Sequence, residues 1–519
     1  MGQTRNVLFI MSDQLRHDYL SCMGARHIST PHLDRLAKMG TLFRRAYCPS
    51  GVCGPSRMSF YTGRSATSHG ATWNSVPLSV RELTLGDYLR PMGIRVALAG
   101  KTHALPDLDG MTRLGIDPAS ERGRLLINAG FEPFDRHEGH VEPPPTSNYS
   151  EYLRAKGYDS ERPWHEYANG VTLPDGSHDT GWWLRNSRFP LRVDKADSET
   201  AYMTDRALGF VAEQADKPWL LHLSYIKPHW PYCAPAPYHD MYGPEDAPAL
   251  SRGKNERESA HPVVQAYYQH EEGKSFAREE VVNTVRPAYM GLVKELDDNI
   301  GRLLDGLEKM GRLDDTMIVF TADHGDYLGD HWLGEKEIFF EQAARIPMIV
   351  YDPADDAVRG QVDDTLIDGI DVVPTFLTAL GAPAHDYVVE GRDLTPLLRG
   401  KGDDGRRDYA VCELDYAYRR ARLVLDQPAQ RCRAWMVRAE RWKYVHWLDY
   451  PDQLYDLHND PDEMVDFGVD PGHDKVRAEM RDRLVEWFTT RRIRTTAPDG
   501  FEADRTDSHT KRGIHIGEW

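Results

Sequence analysis

The chain is 519 residues long, 40% hydrophobic and 28% charged, with 12 Trp, 25 Tyr and 15 Phe. That composition is globular and too aromatic for disorder, and the length suits one very large α/β domain plus a smaller one, or three ordinary domains. An acidic balance of 81 Asp and Glu against 63 Lys and Arg gives a net charge of −18, which repels a phosphate backbone where no basic stripe intervenes, so nucleic acid is not an expected partner.

No run of about 18 apolar residues occurs, so no membrane-spanning helix is expected. The first apolar run, residues 7–11, is too short for a signal-peptide core and is followed by no small-residue cleavage site. Asn6 stands where N-myristoylation of Gly2 would need Ser or Thr. Six cysteines (Cys22, Cys48, Cys53, Cys233, Cys412 and Cys432) form no C-x-x-C pair and no disulfide framework. The expected location is the reducing cytoplasm.

In chain order, the apolar runs 7–11, 96–99, 219–225, 317–321 and 347–351 read as strands. Continuous apolarity, rather than alternation, implies burial on both faces, as in a mostly parallel sheet. Helical patterns lie between them. Thr30 as a cap and Pro31 in the first turn open one helix, which closes at Gly40. From Tyr289 onward, Leu292, Leu296, Ile300, Leu303 and Leu307 line one helical face, with Glu295, Asp297 and Asp298 off it. The predicted fold is α/β, a large mostly parallel sheet sandwiched by helices.

Residues 105–195 and 234–285 are rich in Pro, Gly, His and charge with weak periodicity, and read as surface insertions at a site mouth. The expected catalytic domain is 1–398. After the linker-like residues 399–408, the segments 409–414, 434–438 and 442–447 read as antiparallel strands and 475–490 as an amphipathic helix. These make 399–519 a smaller C-terminal α+β domain with a tail.

The densest chemical signal is Val52-Cys53-Gly54-Pro55-Ser56-Arg57, followed by Thr62-Gly63. Pro55 suits a first helical turn and Gly63 a helix end, which places Cys53 at a helix N-terminus, facing free amides and the positive dipole end. Arg57, one turn on, adds a cation. A second cluster, Asp323-His324-Gly325-Asp326, follows a predicted strand, and Ser12-Asp13-Gln14 follows the first one. Carboxyl ends of strands are where α/β sheets hold ligands.

The Cys-x-Pro-Ser-Arg string with its Thr-Gly resembles the signature of the sulfatase family, within the alkaline phosphatase superfamily. Thr30-Pro31-His32-Leu33-Asp34-Arg35-Leu36, Gly369-Ile370-Asp371-Val372-Val373-Pro374-Thr375, Lys443-Tyr444 and Leu454-Tyr455-Asp456-Leu457 are similar to that family as well. The resemblance implies that a formylglycine-generating enzyme converts Cys53 to formylglycine, whose hydrate carries two hydroxyls on one carbon. It implies one divalent metal ion, Ca²⁺, Mn²⁺ or Mg²⁺, held by Asp13, Asp323, His324 and the modified Cys53, oxygen-rich ligands that suit hard cations. Gln14 stands where many sulfatases have another aspartate, and could coordinate through its amide oxygen.

Gly100-Lys101-Thr102-His103, Lys227-Pro228-His229-Trp230-Pro231 and Lys336 resemble the family's substrate-side elements. The implied reaction is hydrolysis of aryl or small alkyl sulfate monoesters through a covalent sulfo-enzyme intermediate. Arg57 and Lys101 neutralise charge on the sulfate, His229 and Lys336 serve the leaving oxygen with His229 as proton donor, and His103 helps deprotonate the second hydroxyl. Phosphonate monoester and phosphodiester hydrolases share the modified cysteine and the metal set, and Asn74, as a substrate-binding residue, suits either activity. A non-catalytic anion- or metal-binding protein with unmodified Cys53 is the alternative of another class. The sequence leaves the oligomeric state open, a homo-oligomer included.

Overall fold

The structure, a computed structural model, describes residues 4–139, 144, 146–214, 216–401 and 407–498, and in the tail 500–503, 505–506, 508–511 and 513. Residues 402–406 of the expected linker lie outside the described residues.

An eight-stranded sheet organises the molecule. Its strands are β1 (Asn6–Ser12), β2 (Thr41–Tyr47), β3 (Arg95–Gly100) and β4 (Glu132–Arg136). After a hairpin of β5 (Gly170–Thr172) and β6 (His178–Thr180), the sheet resumes with β7 (Trp219–Tyr225), β8 (Thr316–Ala322), β9 (Arg345–Tyr351) and β10 (Gln361–Asp368). The order is β10-β2-β9-β8-β1-β7-β3-β4. Only β9 runs antiparallel to its neighbours; β8, β1, β7, β3 and β4 form a continuous parallel block. Every residue of β1, β7 and β8 is buried, as their unbroken apolarity requires once helices flank the sheet. The stretch 105–195 is more than surface insertion, because it supplies the edge strand β4.

Helix α1 (Pro31–Met39) differs from expectation at its start. The Thr30 side chain makes no cap and instead accepts from Ser21 N–H at 2.9 Å. The helix's free His32 and Leu33 N–H groups donate to Asp297 Oδ1 at 3.0 and 2.9 Å. Asp297 belongs to the helix Glu279–Lys309, which begins ten residues before Tyr289 and contains Pro287. Both Asp297 and Glu295 lie off the leucine face yet are buried, because each is hydrogen-bonded to a neighbouring element: Glu295 Oε1 accepts from Ser198 Oγ at 2.5 Å. Asp297→Ala is expected to cost about 1–2 kcal/mol, read from the denaturant midpoint; an unshifted midpoint would give these caps no weight.

The C-terminal sheet, β11 (Tyr409–Asp415), β12 (Arg433–Ala439), β13 (Trp442–Trp447) and β14 (Gln453–Asp456), is antiparallel throughout. Val411, Trp435, Val437, Tyr444 and Leu454 from the sheet pack with Met480 and Leu484 of the helix Asp474–Thr489. Lys443, one of the family-like pair Lys443-Tyr444, is completely buried. It lies 2.8 Å from Glu341 and 2.7 Å from Glu463, pinning β13 to the segment before β9. Among the described residues no helix is long and apolar enough to cross a membrane.

Candidate active site

Parallel strands share the direction of their carboxyl ends, so whatever follows β8, β1, β7 and β3 lies along one edge of the sheet. β1 delivers Asp13, β8 delivers Asp323 and His324, β3 delivers Lys101 and His103, and the turn after β7 delivers Lys227 and His229. Helix α2 (Cys53–Thr62) brings in Cys53 at its first residue and ends at Gly63, whose φ of 70° is the left-handed conformation that glycine adopts freely.

Asp13, Cys53, Asp323 and His324 are all buried, and one ligand atom from each lies within 4.8 Å of the others. Cys53 Sγ is 3.0 Å from His324 Nε2 and 3.9 Å from Asp13 Oδ1. His324 Nδ1 donates to Gly325 O at 2.9 Å, which leaves Nε2 as an acceptor facing the group. Two carboxylates, an imidazole with its lone pair inward and a nucleophile position fit a hard divalent cation.

Arg57 is completely buried and contacts both carboxylates, where the sequence placed it against the oxyanion. Its Nε donates to Asp323 Oδ2 at 2.8 Å and one terminal nitrogen to Asp13 Oδ2 at 3.2 Å. The other terminal nitrogen donates to Ser224 Oγ at 2.7 Å and Lys101 O at 3.1 Å. Lys101 Nζ lies 2.5 Å from Asp13 Oδ2. Burial pushes the Asp13 carboxyl up, but Lys101, His229, Arg57 and Lys336 outweigh it and hold it well below the usual carboxylate range. Burial and the Asp13 charge push the Cys53 thiol up to about 11, so the unmodified cysteine is a neutral thiol and a weak nucleophile here.

Gln14, at a φ of 64°, touches the group only through its backbone N–H, which donates to Asp323 Oδ1 at 3.0 Å. Its side-chain oxygen accepts from Lys336 Nζ at 2.8 Å, and its amide nitrogen donates to Asp326 at 2.5 Å and Tyr232 at 3.1 Å. It therefore orients Lys336 and does not offer its oxygen to the cluster. Lys336 Nζ also lies 3.3 Å from His229 Nε2. His229 Nδ1 donates to Trp230 O at 2.7 Å, so Nε2 is the acceptor, and burial pushes this imidazole well below its ordinary value.

Asn74 Oδ1 accepts the Gly54 N–H at 2.8 Å, capping α2 beside Cys53. A Cβ at position 54 would lie 2.8 Å from that oxygen, which is why glycine follows Cys53. His103, half-buried at a φ of 52°, is oriented through its backbone by Glu138 Oε2 at 2.9 Å. The structure thus gathers the metal set, Arg57 and Lys101 around Cys53, and sets Lys336 against both His229 and Gln14. Sequence reasoning missed Ser224, Tyr232, Asp326 and Glu138. Of these, Asp326 was visible in the string after β8 and Ser224 near the end of a predicted strand.

A family model described as Sulfatase matches residues 5–382. The chain belongs to the sulfatase family. A further model, N-sulphoglucosamine sulphohydrolase, C-terminal, matches residues 329–490 of this sulfatase-family protein. The chain is 33% identical to the multifunctional alkaline phosphatase superfamily protein PehA of Trinickia caryophylli, over 95% of this chain and 96% of that one. It is 27% identical to an arylsulfatase of Clostridium perfringens, over 89% of each. Its fold is similar to the phosphonate monoester hydrolase of Agrobacterium radiobacter, with a TM-score of 0.81 and 28% identity, covering 93% of this chain and 95% of that one.

Proposed function

We propose that the protein hydrolyses sulfate monoesters with a nucleophile derived from Cys53. The observation that carries this reading is the placement of Cys53 Sγ within the buried Asp13, Asp323 and His324 group at the start of α2. Sγ marks the position that an oxygen of formylglycine would take. When formed, that group supplies one hydroxyl to attack sulfur and a second to expel sulfate. A divalent cation held by Asp13, Asp323 and His324 would draw charge from a sulfate oxygen.

The chain's own residues do the rest. Arg57 fixes the two carboxylates, and Asn74 fixes the turn of α2 that carries Cys53. Lys336, steadied by Gln14, is the protonated group nearest the leaving side. Burial lowers its pKa, but the carboxylates of Glu335, Asp13 and Asp323 outweigh this and raise it. As the ester S–O bond breaks, Lys336 hydrogen-bonds the departing oxygen and gives it a proton. His229 Nε2, without a proton of its own, accepts from Lys336 and holds it in place. This exchanges the donor role expected of His229. His103 remains the base proposed for the second hydroxyl.

A second reading is favoured by Gln14: with its amide committed to Lys336 and Asp326, the site lacks a third ligand carboxylate. The similarity to a phosphonate monoester hydrolase supports turnover of phosphonate monoesters, and with them phosphodiesters, at the same site. Measuring kcat/KM on an aryl sulfate and a phenyl phosphonate ester side by side tests both readings. Higher kcat/KM on the sulfate supports the first, higher kcat/KM on the phosphonate the second, and turnover of neither removes both. With substituted phenyl esters, Lys336→Ala and His229→Ala should steepen the dependence of log rate on leaving-group pKa, because poor leaving groups need the proton most. Unchanged slopes would reduce the pair to a structural role.

A further inference from the structure

An aromatic pair that the hydrolysis itself does not use joins the loop that caps the helix of Cys53 to the turn that pairs with the neighbour of Lys336. Trp73 and Tyr418 stack with ring centroids 5.6 Å apart and planes 11° from parallel. Trp73 is half-buried and Tyr418 is 55% exposed. No hydrophobic core lies over a ring that open, so the stack keeps a planar apolar surface in water.

Its place is fixed from both sides. Trp73 precedes Asn74, which caps Gly54 beside Cys53. Tyr418 precedes Arg419, whose Nε lies 2.9 Å from Glu337 Oε2, next to Lys336. The two flanks meet directly, since a Cβ on Gly51 would lie 2.5 Å from Glu337 O. Thr72 Oγ1 donates to Asp415 Oδ2 at 2.8 Å, tying the Trp73 loop to the Tyr418 turn. His270 Nε2 accepts the Ala421 N–H at 3.0 Å and holds the far end of that turn. A stack anchored by hydrogen bonds at each shoulder is pre-organised, so a ligand ring laid on it orders little new structure.

We propose that the Trp73–Tyr418 stack is the platform for the leaving group, and that it selects esters of planar aromatic alcohols over esters of small alkyl alcohols. The inference rests on the ester-hydrolase reading of the Cys53 site. An aryl ring extending the stack gains offset aromatic contact, whereas a small alkyl chain covers little of it.

Sulfonates, whose carbon–sulfur bond is not hydrolysed, separate binding from turnover. By calorimetry on the metal-loaded full chain, wild type should bind naphthalenesulfonate more tightly than methanesulfonate. Tyr418→Ala and Trp73→Leu should each weaken naphthalenesulfonate about 3–10-fold and leave methanesulfonate unchanged, while Tyr418→Phe, which keeps the ring, should match wild type. In turnover, kcat/KM for a phenyl ester should fall by the same factor, carried by KM, with an alkyl ester unaffected. Equal affinity of wild type for the two sulfonates, or equal weakening of both in the variants, overturns the platform. Failure to hydrolyse any ester would remove the ester-hydrolase reading while the sulfonate affinities still decide the platform.

Discussion

A Cys53→Ser protein is expected to lose steady-state turnover by at least about 10³-fold, although a hydroxyl remains at the nucleophile position. Serine can take the sulfuryl group once, but it has no second hydroxyl on the same carbon to expel it, so alcohol release should stop at no more than one equivalent per active site. The surroundings leave little room for another nucleophile. Position 53 opens α2 inside the Asp13, Asp323 and His324 group, and the thiol there is neutral, held up by burial and by Asp13. Sustained sulfate release by Cys53→Ser at the wild-type rate would remove the geminal-diol chemistry.

The second large effect concerns the ion. Asp13→Ala, Asp323→Ala and His324→Ala should each lose bound metal and about 100-fold or more in activity together. Removing either carboxylate also takes away one of the two buried counter-charges of Arg57, and removing Asp13 takes away the carboxylate paired with Lys101. Arg57→Ala should resemble the ligand variants, because its guanidinium orients both carboxylates. Gln14→Ala should keep its metal and be impaired chiefly on poor leaving groups, since its amide serves Lys336. Metal content of the purified variants, measured beside activity, checks all five. Wild-type metal content in the three ligand variants, or full activity of the chelated protein, would contradict the assignment.

The strands that carry the site are legible in the sequence because each is buried on both faces and ends abruptly in a polar string. The outer strands are hidden by charge. β2 carries Arg44 and Arg45, and β10 carries Asp363 and Asp364, which breaks the apolar pattern. The charges are admitted because Arg44 grips Asp364 of the neighbouring strand at 2.8 and 2.5 Å. β4, reading Glu-Pro-Phe-Asp-Arg, has the proline and charges that an edge strand tolerates.

At the site, residue types and strand ends identify the metal set and Cys53, since those follow from local order along the chain. What the other cations touch does not follow. Whether Arg57 meets an oxyanion or Asp323, 266 positions away, is decided by how β8 and α2 dock. Similarly, the proton bookkeeping of His229 depends on one backbone carbonyl, Trp230 O, and on the distance to Lys336.

The central claim is that Cys53 is the precursor of the nucleophile, and the peptide 46–57, released by trypsin after Arg45 and Arg57, reports on it directly. After co-expression with a formylglycine-generating enzyme, its mass should show conversion of one thiol to an aldehyde at Cys53, with Cys48 intact. The converted fraction across preparations should be proportional to ester hydrolysis per mole of protein. Full activity in a preparation whose Cys53 is entirely unmodified would contradict the account.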